Sequence, residues 1–92
     1  MTDVPTHLTF PSINLNGSSP DTLVDDLRTA CVAMMDAIEA VARTVPNGRD
    51  YQTLGPDAFP AAQHEHAERM ASLHAIQKDL EAIAIHILNQ TP

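Results

Sequence analysis

The chain has 92 residues, 43% hydrophobic but only 3% aromatic, and its 12 acidic against 5 basic side chains give a formal net charge of -7. One small domain is expected; it needs self-association, because a chain this short buries only roughly 60–65% of the surface it exposes when unfolded, and no Trp, one Tyr and two Phe supply few bulky rings. The acidity excludes a general nucleic-acid binder, the single cysteine Cys31 excludes an internal disulfide, and the lack of a membrane-length apolar run or a signal-peptide pattern points to the cytoplasm.

Residues 1–18 carry Pro5 and Pro11, scattered apolar residues at Phe10, Ile13 and Leu15, and a turn-forming Asn16-Gly17 pair that no helical period fits. They read as an extended arm, with Ile13 and Leu15 favouring its docking along a neighbouring surface. Residues 19–92 then read as a helical hairpin. Ser19 is placed to cap orphan N–H groups, Pro20 suits the first helical position, and Asp21 meets the positive end of the helix dipole. Leu27, Cys31, Met34, Ile38, Val41 and Val45 recur at alternating steps of four and three, which predicts a first helix over about 20–45, stopped by Pro46-Asn47-Gly48.

A connector is predicted over 46–57 and a second helix over about 58–89. One seven-residue series on it holds Phe59, His66, Leu73, Leu80 and Ile87; the other holds Ala62, Arg69, Ile76 and Ile83. Matching seams joined by about a dozen residues pack most simply as an antiparallel hairpin. A second apolar stripe lies beside the first: Val24, Val32, Met35 and Ala42 on helix 1, and Ala67, Ala71, Ala82, Ile85 and Leu88 on helix 2. One partner helix cannot cover both stripes. The predicted fold is therefore all-α, an arm followed by a hairpin that oligomerises into a helical bundle, as a four-helix dimer or a larger ring.

Near the connector the seam of helix 2 becomes polar, at His66 and Arg69. Closing the hairpin brings these and Arg43 towards the loop that bears Asn47, Arg49, Asp50 and Tyr51. Guanidinium groups present forked donors to phosphate or carboxylate, an aromatic ring can stack on a base, and loop N–H groups can complete an anion nest. The candidate ligand-binding residues are thus Arg43, Asn47, Arg49, Tyr51, His66 and Arg69. A plainer account has Arg69 paired with Glu65, Arg49 with Asp50 or Asp57, and His66 in an inter-helix hydrogen bond.

No metal site is expected, since His64 and His66 point about 200° apart on a helix and no His-x-x-x-His pair occurs. Catalytic residues and cofactors are not expected either. Cys31 sits mid-seam with no His beside it, Ser18, Ser19 and Ser72 have no motif around them, and the consecutive Asp25 and Asp26 splay apart.

Ile13-Asn14-Leu15-Asn16-Gly17-Ser18-Ser19, Pro46-Asn47-Gly48-Arg49-Asp50-Tyr51, Gly55-Pro56-Asp57-Ala58, and Glu65-His66 with Arg69 together resemble small phage and prophage hypothetical proteins. These share a turn like "LNGTS", a helix, an "NGRDYY" connector and a second helix with "EH..R"; Gln52 stands where that pattern has its second aromatic. The resemblance covers nearly the whole chain and implies a phage origin, residence in the host cytoplasm, and this shape. A class-level analogy extends to the oligomeric helical phage proteins that sequester nucleotide immune signals. It implies a cyclic-nucleotide or ADP-ribose-like partner in addition to further copies of the chain. The alternative expectation is a protein–protein interaction or assembly module that binds a host or virion protein through the acidic face of helix 1, at Asp25, Asp36 and Glu39.

Overall fold

The computed structural model describes residues 7–90, so the first six positions of the expected arm lie outside the described residues. Two long helices dominate, α1 (Pro20–Ala42) and α2 (Ala58–Gln90), with single-turn 3-10 helices at Gly48–Asp50 and Gln52–Leu54 between them, and no strand occurs among the described residues. Val24 and Leu88 border one cleft and Val41 and Leu73 another, as an antiparallel hairpin requires. The 33 residues of α2 make a rod of roughly 50 Å. The molecule is correspondingly long, 62 × 26 × 21 Å with a radius of gyration of 18.6 Å, where a compact chain of this length would have about 12 Å.

The start of α1 follows from its sequence. Ser19 Oγ accepts from the Thr22 N–H at 3.1 Å, and Pro20 fills the first position, where no N–H is needed. Its end comes three residues before the expected 45. Arg43, Thr44 and Val45 donate to the carbonyls three residues back, the Thr44 hydroxyl donates to the Val41 carbonyl, and Pro46 disfavours helical geometry at the residue before it. Val45, expected in the seam, is therefore exposed.

Along α1 the seam of Leu27, Cys31, Met34, Ile38 and Val41 is half-buried, and Val24, expected on the second stripe, is buried instead. On α2 the series Phe59, His66, Leu73, Leu80 and Ile87 faces inward along its whole length, and Ile87 is fully buried. The other expected series fails in its middle. Ala62 and Ile83 are covered, but Arg69 and Ile76 are exposed, and Met70 and Gln77 take their places. The contact stripe on α2 is therefore not uniform: it swings by one residue to Met70 and Gln77 in the middle of the rod and returns to Ile83 in the half that carries the arm, while the Phe59 series stays inward throughout.

The described arm packs against the far half of α2. His7 Nε2 lies 2.8 Å from Asp79 Oδ1, and the Phe10 ring stacks on His86 with centroids 4.5 Å apart. Gln90 then clamps the chain, donating to the Pro11 carbonyl at 3.1 Å and accepting from the Ile13 N–H at 3.2 Å. Three arm residues thus span seven helical ones, the ratio set by ~3.3 Å per extended residue against 1.5 Å in a helix. Asn14 ends the run: its side chain accepts from the Asn16 N–H and its carbonyl from the Gly17 N–H, turning the chain back into α1. Leu15, expected to dock with Ile13, sits in this turn and stands fully in solvent, whereas Ile13 is half-buried.

Candidate functional site

The connector is an organised loop. Asn47 Oδ1 accepts from the Arg49 backbone N–H at 3.0 Å and from its Nε at 3.4 Å, an Asx cap that fixes both the first 3-10 turn and the Arg49 side chain. The Tyr51 N–H donates to the Gly48 carbonyl, and the Leu54 N–H donates to the Tyr51 carbonyl, so the two turns join end to end. Gly55 follows with φ of 95°, a conformation that suits only glycine, and this releases the chain into α2. Phe59, on the first turn of α2, is the platform beneath the loop. Its ring lies 6.1 Å from that of Tyr51, and a side chain placed at Gly48 would meet it at 3.5 Å.

The six candidate residues occupy three environments. Asn47, Arg49 and Tyr51 share the loop; Arg49 is exposed and forms no ion pair among the described residues, with neither Asp50 nor Asp57, while Tyr51 is half-buried. Arg43 caps the C-terminus of α1 and approaches Glu39 at 3.6 Å, both side chains being largely exposed. Arg69 lies on α2 at a cleft of about 520 Å³ that it lines with Val41, Glu65, Glu68, Ser72 and Leu73. None of the loop residues lines that cleft. Arg69 forms no ion pair with Glu65, and Glu68 is engaged by His64 at 2.8 Å.

His66 differs from the other five. It is only 8% exposed, its Nδ1 is buried without a hydrogen-bond partner, and it belongs to the hairpin core instead of the solvent-facing loop. The inter-helix hydrogen bond considered for it is not formed. Two features that matter here, the ring of Phe59 beneath the loop and the acidic lining beside Arg69, are missing from the reading of the sequence. Phe59 was read only as the start of a seam, although one of just two Phe residues beside a Tyr-bearing loop is a signal for a ring contact. Glu65 and Glu68 make the cleft beside Arg69 acidic, which an attractive reading of its lone guanidinium overlooks.

The site therefore offers forked donors and an aromatic edge. Among the described residues no three His, Cys, Asp or Glu side chains converge as a metal ion would require, and no helix is long and apolar enough to cross a membrane. Cys31, a free thiol, lies at the far half of the hairpin, in a cleft shared with Glu81. No family model, curated protein or solved structure matches the chain.

Proposed function

We propose that the chain is a non-enzymatic, homo-oligomeric binding protein of phage type that sequesters a nucleotide-like anion at the connector end of the hairpin. The observation that carries this reading is Arg49. In a chain with 12 acidic side chains it is held by Asn47 in an ordered turn, next to Tyr51, and no carboxylate among the described residues pairs with it. A guanidinium fixed in this way loses less conformational freedom on meeting a phosphate, and the neighbouring ring suits a base. The acidic cleft beside Arg69 is less suited to an anion, so the seat is assigned to the Arg49 side of the connector, with a second copy closing over it. Arg43 supplies a second guanidinium there, since an exposed pair such as that with Glu39 is weak.

Native mass spectrometry of the purified protein with cyclic dinucleotides, cyclic trinucleotides and ADP-ribose isomers tests the reading. A stoichiometric adduct is expected on an oligomer, lost in Arg49→Ala with helical circular dichroism unchanged. An oligomer that takes up none of the panel, or an Arg49→Ala, Arg69→Ala, Tyr51→Phe triple variant that binds as wild type does, overturns it. A second reading rests on a different observation: Asp25, Asp36 and Glu39 on α1 are all exposed, and Asp25 and Asp36 have no cationic partner among the described residues. An interaction module using that face binds a basic protein with salt-sensitive kinetics, and charge reversal at the three positions removes the partner from a pull-down.

A further inference from the structure

The two flanks of the hairpin are not equivalent at the arm end. The arm lies against Asp79, His86 and Gln90 of α2. Glu81 and Leu88 follow Asp79 and His86 by two residues, hence by about 200° around the helix, so they belong to the opposite flank. That flank carries a cleft of about 250 Å³ between α1 and α2, bordered by Arg28, Cys31, Glu81, Ile85 and Leu88. Val32 and Met35 on α1 and Ile85 on α2 are each more than half exposed. The cleft on the side without the arm is thus mainly apolar, and of the residues that border it each helix supplies one charge, Arg28 and Glu81, of opposite sign.

We infer that this arm-free flank is the surface on which a second copy of the chain docks, through a two-fold axis that runs along the hairpin. This deepens the oligomeric reading proposed above and rests on it. Surface area supports a partner of this size: the accessible surface is 6965 Å², against roughly 5,200 Å² for a compact monomer of this mass, and a stable dimer removes about 800 Å² from each copy.

Charge selects the axis. Among the described residues Arg28 forms no ion pair and Glu81 accepts only from Gln77 Nε2, at 3.1 Å. Both border one cleft, in which the antiparallel pairing sets Arg28 level with Ala84, so Glu81 lies within about one helical turn of it along the hairpin, a distance two long side chains can span. A two-fold axis along the hairpin lays α1 of each copy over α2 of the other at equal height, so that Arg28 meets the partner subunit's Glu81 twice. An axis across the hairpin lays α1 on α1 and α2 on α2, and matches like with like. Either axis makes every neighbouring pair of helices antiparallel, as in an up-and-down four-helix bundle, so charge alone discriminates between them. With the lengthwise axis both arms remain on the outside, and the connector loops of the two copies come to the same end.

Sedimentation equilibrium of the full chain over a range of concentrations, with charge reversals, tests the inference. Wild type is expected to contain a two-copy unit. Arg28→Glu and Glu81→Arg are each expected to raise its dissociation constant roughly tenfold or more, and the double variant to return it to within about threefold of wild type. Single reversals that leave an oligomeric wild type unchanged, or a double variant no better than the singles, overturn this face while the ligand reading stands. A wild type that is monomeric throughout overturns the oligomeric reading itself, and this face with it. Should a reversal reduce helicity, Met35→Lys, at a side chain already more than half exposed, asks the same question: undiminished association overturns the proposal.

Discussion

The two ends of the hairpin are built from the same helices and the same heptad series, yet they bury different things. At the arm end a third segment covers one flank, and there Ile87 is fully buried and Val24 nearly so. At the connector end the cover is the loop, with Gly48 and Tyr51 against Phe59 and, of the described apolar residues there, only the small Ala62 buried, and the seam position equivalent to Ile87 three heptads earlier is His66, sealed with an unpartnered Nδ1. A pair of helices offers only a line of contact; a third element turns part of that line into a core. The arm end is accordingly the stable half of the molecule, and the connector end is the half in which polar groups remain for use.

The largest expected effect breaks this comparison at its strong side. Ile87→Ala removes a fully buried side chain and should cost about 2–5 kcal/mol in urea denaturation at fixed protein concentration. Ile76→Ala, on the heptad series that drifted into solvent, should cost less than about 1 kcal/mol. Equal losses at the two positions would restore the strict heptad reading and remove the drift.

That pair of positions also marks what was legible in the sequence. Caps and breakers act locally, so the start of α1 at Ser19-Pro20 follows from residue type, and the antiparallel pairing follows from two apolar seams joined by a short connector. The drift at Arg69 and Ile76, where Met70 and Gln77 face inward instead, is a matter of how the two helices are rotated against each other in mid-rod, which a seven-residue pattern does not carry. The early end of α1 was legible in principle, because Pro46 acts on the residue before it. At the candidate site, sequence pattern gathered Asn47, Arg49 and Tyr51 into one loop. It could not show that Arg69, Glu65 and Glu68 line one cleft with Val41 of α1 or that His66 is closed off, since both depend on how the helices are rotated against each other.

His66 gives the next prediction. An unpartnered polar atom in a core carries a desolvation penalty, so His66→Leu should stabilise the hairpin by about 1–2 kcal/mol. A loss of stability instead would mean that Nδ1 finds a partner when copies assemble, which would move His66 from the core of one chain to the interface between chains. The arm end offers a smaller test. Gln90→Ala removes the two hydrogen bonds that Gln90 makes to the arm and should cost about 1 kcal/mol. Hydrogen exchange should show the Ile13 amide losing protection while the mid-helix amides of α1 and α2 keep theirs. Retained protection at Ile13 would mean that the His7–Asp79 contact and the Phe10–His86 stack hold the arm without Gln90.

The smallest expected effect lies back at the connector end. Arg43 and Glu39 are four apart on α1 with their charged groups 3.6 Å apart, and both are largely exposed. Arg43→Ala should therefore change stability by no more than about 0.5 kcal/mol, the range of exposed helical pairs. The same argument gives this position its interest. A guanidinium held so weakly can turn to an incoming phosphate with little loss, so Arg43→Ala should weaken ligand uptake in native mass spectrometry while the denaturation midpoint stays in place. A variant that loses stability but keeps the adduct would assign Arg43 to the helix end alone, and would leave Arg49 as the sole anchor of the connector.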